Sequence, residues 1–102
     1  MVYVFATIEL HAGKRDEFLT AQRDLLPLVR AEQGCIEYAP SVEVSLADPP
    51  KQPLRDNCVF MQEKWESLSA LKAHLQAPHM GAFREKVKPL VVGAKVEVFE
   101  SV

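Results

Sequence analysis

The segment from Val2 to Leu10, which reads Val-Tyr-Val-Phe-Ala-Thr-Ile-Glu-Leu, is the sequence feature that most restricts the fold of this chain. It is rich in β-branched and aromatic residues and is followed by a turn at Gly13, which predicts a first strand. A strand with one wet face alternates apolar and polar residues. Here neither side is polar: Val2, Val4, Ala6 and Ile8 lie on one side, and Tyr3, Phe5 and Thr7 on the other.

The pattern changes to a helical period after this strand. Phe18, Leu25, Leu26 and Val29 share one helix face, which predicts a helix from Lys14 to about Glu32. Pro27 removes one backbone hydrogen bond and is expected to bend or break that helix.

Gly34 suits the left-handed residue after a helix end, and Cys35 to Val44 resumes an extended pattern as a second strand. Pro40 within it indicates an edge position or a bulge. The proline-rich residues 46–57 are predicted to form an exposed and mobile loop.

The second half of the chain predicts a strand, two short helices and a final strand. Cys58 to Glu66 is the third strand, and Ser67 is a good N-cap for the helix after it. Pro78 suits the first turn of another helix, and Gly93 is expected to separate that helix from a last strand, Ala94 to Glu100. The buried faces are expected to consist of Leu68, Leu71 and Leu75 in the first helix, and Met80, Phe83 and Val87 in the second.

This β-α-β-β-α-β order predicts a single ferredoxin-like α+β domain over residues 1–102, an antiparallel sheet with all its helices on one face. The helices can cover only one of the two apolar sides of the first strand. We therefore expect a homodimer in which a second copy covers the other side. The alternative is that a long loop or the C-terminus folds over that face.

Charge and composition exclude several classes of partner. The 12 basic and 14 acidic residues give a net charge of −2 without any basic cluster, so nucleic acid is not an expected partner. The longest apolar stretch, Val2 to Ile8, is too short to cross a membrane and has no basic residues ahead of it, which favours a cytoplasmic protein. Cys35 and Cys58 form neither a disulfide framework nor a zinc motif.

Two groups of motifs then carry a family resemblance. The third strand ends in Glu63-Lys64-Trp65-Glu66-Ser67, and Ala73-His74 and Pro78-His79 follow, with Phe83 four residues later. Earlier in the chain stand Gly13-Lys14-Arg15-Asp16-Glu17-Phe18 and Glu32-Gln33-Gly34-Cys35-Ile36-Glu37-Tyr38. Together these motifs resemble the antibiotic biosynthesis monooxygenase family over nearly the whole chain.

The resemblance implies a dimeric α+β barrel and the oxidation of small phenolic or quinol-like substrates by O2, with no cofactor. The family also contains haem-degrading proteins, but that branch relies on an Asn in strand one, where this chain has Ala6-Thr7. It relies as well on a helical Trp, at a position that holds His74 here, and on a later His near Phe83-Arg84. A non-catalytic dimer that binds a small aromatic molecule is the other alternative.

His74 and Trp65 are the candidate catalytic residues. His74 lies at the edge of the Leu71 and Leu75 stripe, where a neutral imidazole could take a proton from a phenol. Trp65 could wall the pocket and donate its indole N–H to a substrate oxygen. The structural alternatives are a histidine that binds a backbone carbonyl at the helix corner, and a tryptophan that is simply core.

The candidate substrate-binding residues are Tyr38, Glu63, His79 and Phe83. Glu63 shares a strand face with Trp65 and is either a pocket base or the ion-pair partner of a basic residue from a second chain. His74 and His79 are five residues apart with Pro78 between them, so they lack the spacing of a His-x-x-x-His metal pair, and no metal site is expected.

Overall fold

The computed structural model of the chain describes residues 1–102. Its elements are β1 (Val2–Leu10), α1 (Arg15–Arg30), β2 (Cys35–Ser41), β3 (Cys58–Trp65), α2 (Leu68–Gln76), α3 (Pro78–Val87), a 3-10 turn (Lys88–Leu90) and β4 (Val91–Glu100). The strands form one antiparallel sheet in the order β2-β3-β1-β4, with the helices on one face. The predicted ferredoxin-like α+β fold is confirmed.

Local chemistry explains where the elements meet. The Ser67 hydroxyl accepts a hydrogen bond from the Ala70 amide at 3.1 Å and starts α2, while Pro78 occupies the first turn of α3. Gly34 has a φ of +83°, and a Cβ placed there would lie 2.6 Å from the Cβ of Ala70. Only glycine therefore allows the turn into β2 to pack against α2.

Two predicted strand boundaries were wrong, and of the bend or break predicted at Pro27 the break is absent. Helix α1 is not broken at Pro27, because this residue lies on the exposed side, where water can reach the carbonyl of Arg23 that it leaves unpaired. Strand β2 ends at Ser41 rather than Val44, although its edge position agrees with Pro40. Strand β4 begins at Val91, and Gly93 does not separate it from the preceding helix.

The position of Gly93 has a physical reason. Gly93 pairs with Glu9, next to a shift of register between Glu9 and Leu10 of β1. A glycine inside a strand accommodates such a bulge. Backbone pairing with β1 therefore starts β4 at Val91, three residues before Ala94, where the alternation of side chains predicted its start.

The inward face of α2 is rotated from the predicted one. Leu71 and His74 are buried, whereas Leu68 and Leu75 are about half exposed. The core between helices and sheet is built from Val2, Val4 and Ala6 of β1, Met61 and Trp65 of β3, and apolar side chains of all three helices. His74 is thus part of the core rather than at its edge.

The sheet face without helices is less apolar than the sequence of β1 indicated. Tyr3, Phe5 and Thr7 point to this face, together with Phe60 and Phe99 on the neighbouring strands. We call Tyr3, Phe5, Phe60 and Phe99 the aromatic strip. Polar side chains flank it: Gln62, Lys64, Lys95 and Glu97.

A second exposed apolar surface lies on the helix-facing side of β4, where Val96 and Val98 are 61% and 49% exposed. The helices do not reach this edge of the sheet. No helix of the chain has both the length and the apolar character needed to cross a membrane.

Candidate active site

A cavity of about 520 Å³ lies between the helices and the sheet. Sheet residues such as Val4, Ala6 and Met61 form its floor, and its other walls are mostly hydrophobic. Val96 and Val98 line its side at the β4 edge. The buried and half-buried polar side chains of its lining are Gln22, Tyr38, Glu63 and His74, while the exposed Arg84, Glu85 and Lys88 border it as well. An apolar chamber of this volume with a few polar groups is typical of small-molecule sites.

The imidazole of His74 is held on three sides. Its ring centroid lies 4.5 Å from that of Trp65, tilted by 34°, and the Tyr38 ring contacts it edge-on at 5.5 Å. Its Nδ1 lies 2.9 Å from Oε2 of Glu32. The side chain is 2% exposed, so its remaining nitrogen, Nε2, is in a water-poor environment.

Glu32 binds two histidines through one oxygen. Nε2 of His79 lies 2.8 Å from the same Oε2 atom that contacts Nδ1 of His74. An ionised carboxylate only accepts hydrogen bonds, so each of these two ring nitrogens carries a proton. On this assignment the neutral His74 ring has its lone pair on Nε2. The nearest carboxylate oxygen to that atom, Glu63 Oε1, is 3.9 Å away.

Glu63 and Trp65 form a separate pair. The indole Nε1 of Trp65 donates to Oε1 of Glu63 at 3.0 Å, so this N–H is directed to the carboxylate rather than into the cavity. Trp65 is fully buried and does not border the cavity, whereas Glu63 does. Burial raises the pKa of Glu63 and the nearby charge of Glu32 adds to this effect, while the hydrogen bond from Trp65 opposes it.

The raised pKa of Glu63 gives a testable pH dependence. Because the pKa in the folded state is above the ordinary value of 4.5, folding favours the protonated carboxyl. The free energy of unfolding should therefore decrease as the pH rises from 4.5 through the raised pKa, and stay lowered above it. Glu63→Gln should make this decline shallower, as measured by urea unfolding across that range.

The matched control for this experiment is Glu66→Gln, because Glu66 is an exposed carboxylate three residues further along the chain. Its pH profile of stability should follow that of the wild type. Parallel profiles for Glu63→Gln and the wild type would show that the buried carboxyl does not titrate as described.

Tyr38 and Gln22 supply further polar groups to the cavity. Burial raises the pKa of the Tyr38 hydroxyl, which therefore remains a protonated donor at neutral pH. The Gln22 side chain donates from Nε2 to the Met61 sulfur at 3.5 Å. Its Oε1 is the one buried side-chain polar atom that has no hydrogen-bond partner. Because Gln22 borders the cavity, this oxygen is available to accept a hydrogen bond from a bound molecule.

Gln22→Met should leave the free energy of unfolding within about 1 kcal/mol of the wild type, because it fills the same volume and removes no hydrogen bond to Oε1 within the protein. Chemical denaturation checks this result. Gln52→Met, at an exposed loop position, is the control and should change little. A loss of more than about 2 kcal/mol in Gln22→Met would contradict the orphaned state of the amide.

The structure brings the candidate residues together, but only some of them border the cavity. Tyr38, Glu63, His74 and Phe83 border the cavity. Trp65 lies behind His74. His79 lies on the outer side of Glu32, away from the lining, and is partly exposed. No group of three or more His, Cys, Asp or Glu side chains has the geometry of a metal site.

Glu32 and Gln22 were missed as site residues. Glu32 appeared only as one letter of a family motif, because nothing local shows that its side chain meets two histidines more than forty residues later. The signal for Gln22 was a polar residue among the buried positions of α1, next to Phe18, Ala21 and Leu25.

The fold is thus an antiparallel sheet with helices on one face, and it encloses an apolar chamber that a buried histidine and a largely buried carboxylate border. A family model described as "Antibiotic biosynthesis monooxygenase" matches residues 1–86. The chain therefore belongs to the antibiotic biosynthesis monooxygenase family. This homology makes it a monooxygenase, that is, an oxidoreductase.

One relative supports this assignment, and two solved structures share the fold. The chain is 35% identical over 102 residues to the "Probable quinol monooxygenase YgiN" of Escherichia coli K12, covering 98% of this chain and 97% of that protein. A conserved protein of Methanosarcina mazei Go1 has a similar structure, with a TM-score of 0.83 at 19% identity over 99% of this chain and 92% of that one. Protein SO0527 of Shewanella oneidensis has a TM-score of 0.79 at 25% identity, over 96% of this chain and 87% of that one.

Proposed function

We propose that this chain is a cofactor-independent monooxygenase that oxidises a small phenolic or quinol-type substrate with O2 in the cavity between its helices and its sheet. The observation that carries this proposal is the buried His74 ring, whose Nδ1 is engaged by Glu32 and whose Nε2 remains available as a base. The 35% identity to a protein named "Probable quinol monooxygenase YgiN" supports the choice of substrate class.

The chemistry lies in the substrate. His74 Nε2 takes the proton of an aromatic hydroxyl, and the electron-rich anion passes one electron to O2. The two radicals combine into a peroxide anion on a ring carbon, and this anion takes the proton back from His74. The ring carbon then loses its hydrogen as the O–O bond breaks, which leaves a carbonyl and releases water. Hydroquinone and O2 then give a hydroxylated quinone and water, so atoms and electrons balance without an external reductant.

The remaining side chains orient the substrate and keep water away. In this proposal the Tyr38 hydroxyl and the free Oε1 of Gln22 hydrogen-bond substrate oxygens, and Phe83 packs against the ring. Glu63 lies near the same end of the cavity as His74 Nε2. The apolar walls exclude the water that would quench a radical or peroxide intermediate. Trp65 and His79 support this group from outside the cavity.

We also propose that the protein acts as a homodimer, because two apolar surfaces of a single chain remain exposed. These are Phe5 and Phe99 of the aromatic strip, which contact edge-on at 5.8 Å, and the β4 side of the cavity at Val96 and Val98. The other two strip residues, Tyr3 and Phe60, are half-buried under Lys64 and Arg55. A second copy would cover the strip and bring its own chain to the open edge of the cavity.

Oxygen uptake tests the proposed reaction. Chelator-treated, flavin-free protein is mixed with one-ring and two-ring hydroquinones and, as controls, with their dimethyl ethers, which have no hydroxyl proton to lose. We expect one O2 consumed per hydroquinone oxidised, and none with the ethers. Tight binding without O2 uptake would favour a non-catalytic binding module instead, and a Soret band with ring opening after adding haem and a reductant would favour haem degradation.

A further inference from the structure

We infer that Glu32 is a positioning residue of this site: its Oε2 fixes which nitrogen of His74 faces the cavity, and His79 serves to hold Glu32 in place. The inference rests on the proposed function in taking His74 as the base. It gives His79 a role outside the substrate cavity, and it adds a residue that the sequence motifs alone did not single out.

The contacts join three separate elements. Glu32 lies just after the C-terminus of α1, His74 lies in the last turn of α2, and His79 lies in the first turn of α3. The two ring nitrogens approach the same carboxylate oxygen at 2.9 and 2.8 Å, distances of charge-assisted hydrogen bonds. The carboxylate side chain is 14% exposed, so this contact is largely shielded from water.

The choice of tautomer follows from this geometry. If the neutral His74 ring carried its proton on Nε2, the lone pair of Nδ1 would face the lone pairs of Glu32 Oε2 at 2.9 Å. That arrangement is repulsive, whereas the Nδ1–H tautomer donates to the carboxylate and leaves Nε2 as an acceptor. When Nε2 takes a substrate proton, the negative carboxylate stabilises the imidazolium.

The other groups around His74 do not compete for this task. Glu63 Oε1 is 3.9 Å from His74 Nε2, beyond hydrogen-bond distance, and it accepts the Trp65 N–H. Tyr38 contacts the ring by its edge. Cys35 lies near both carboxylates, and burial followed by the charges of Glu32 and Glu63 raises the pKa of its thiol, so it stays neutral. Glu32 is therefore the group that sets the tautomer.

The matching experiment combines ring-nitrogen NMR with steady-state kinetics. Histidine 15N shifts of the resting wild type should show His74 as the Nδ1–H tautomer. Glu32→Gln has an amide that can bond either tautomer, so both should be populated, and it lacks the negative charge that stabilises the imidazolium. We therefore expect kcat to fall by about a hundredfold with less than a threefold change in KM. Glu32→Asp should recover part of the loss. Glu17→Gln, an exposed carboxylate of α1, is the control and should behave as wild type.

His79 gives a second set of variants in case Glu32→Gln does not fold. Replacing His79 by Gln keeps an N–H near the position of His79 Nε2, whereas replacing it by Leu removes this donor to Glu32. We expect His79→Gln to retain most of kcat, and His79→Leu to lower kcat and mix the His74 tautomers. Equal kcat in both variants would contradict the supporting role of His79.

The outcomes separate this inference from the proposed function. An Nε2–H tautomer of His74 in the wild type would overturn the role of Glu32 whatever the activity. Mixed tautomers with unchanged kcat in Glu32→Gln would overturn it while leaving quinol oxidation intact. An Nδ1–H tautomer in a wild type that consumes no O2 would support the geometry, and the proposed function alone would fail.

Discussion

His74→Asn is expected to lower kcat for hydroquinone oxidation by about 10²- to 10⁴-fold, the range found when a general base is removed. The amide nitrogen of Asn can take the place of Nδ1 and keep the hydrogen bond to Glu32, but nothing replaces Nε2. The variant therefore removes the proposed base while it preserves the contact that holds α2 to the end of α1. KM should change less than kcat, because the cavity walls remain.

The control for this experiment is His11→Asn. His11 is the one histidine of the chain besides His74 and His79; it is exposed and follows the end of β1. Its kcat should match that of the wild type. Activity of His74→Asn within about threefold of the wild type would exclude His74 as the base, because a lost general base costs far more. Attention would then turn to Glu63, the other ionisable group that borders the cavity next to His74.

Phe5→Glu is expected to convert the proposed homodimer to monomers at micromolar concentration. Phe5 is 46% exposed, lies in the middle of the aromatic strip and contacts Phe99 edge-on. A second copy packed there would bury the new carboxylate without a partner, which costs about 3 kcal/mol or more and weakens the dimer at least a hundredfold. Sedimentation equilibrium of the wild type and the variant measures this shift.

A matched substitution separates the interface from general surface effects. Leu28 is also an exposed apolar residue, but it lies on α1. Leu28→Glu should remain dimeric. A wild type that sediments as a monomer, or a Phe5→Glu variant that stays dimeric, would contradict packing through the aromatic strip. We expect the monomeric variant to lose activity as well, because Val96 and Val98 would then leave the cavity open at the β4 edge.

The order of elements could be predicted from the sequence because local signals mark it. β-branched residues in β1, the N-cap at Ser67 and Pro78 at a helix start each report on a few neighbouring residues. Boundaries that depend on residues distant in the sequence were harder to predict. The start of β4 is set by its pairing with β1, and Pro27 is tolerated because of the side of the helix on which it lies.

The candidate site was predictable in its residue types more than in its geometry. The period of α2 identified Leu71 but could not fix the rotation of the helix, so Leu75 was expected inside and His74 at the margin. The structure has the reverse order of burial. The hydrogen bonds of Glu32 to two histidines depend on the packing of three helices, and no spacing in the sequence carries that information.

The central claim is that the substrate binds in the cavity with a hydroxyl on His74 Nε2. A crystal structure of the protein soaked without oxygen in a two-ring hydroquinone tests this claim most directly. We predict the aromatic ring between the helices and the sheet, with one hydroxyl oxygen within hydrogen-bond distance of Nε2. A hydroquinone bound at another surface, or in the cavity with both hydroxyls turned away from His74, would contradict it.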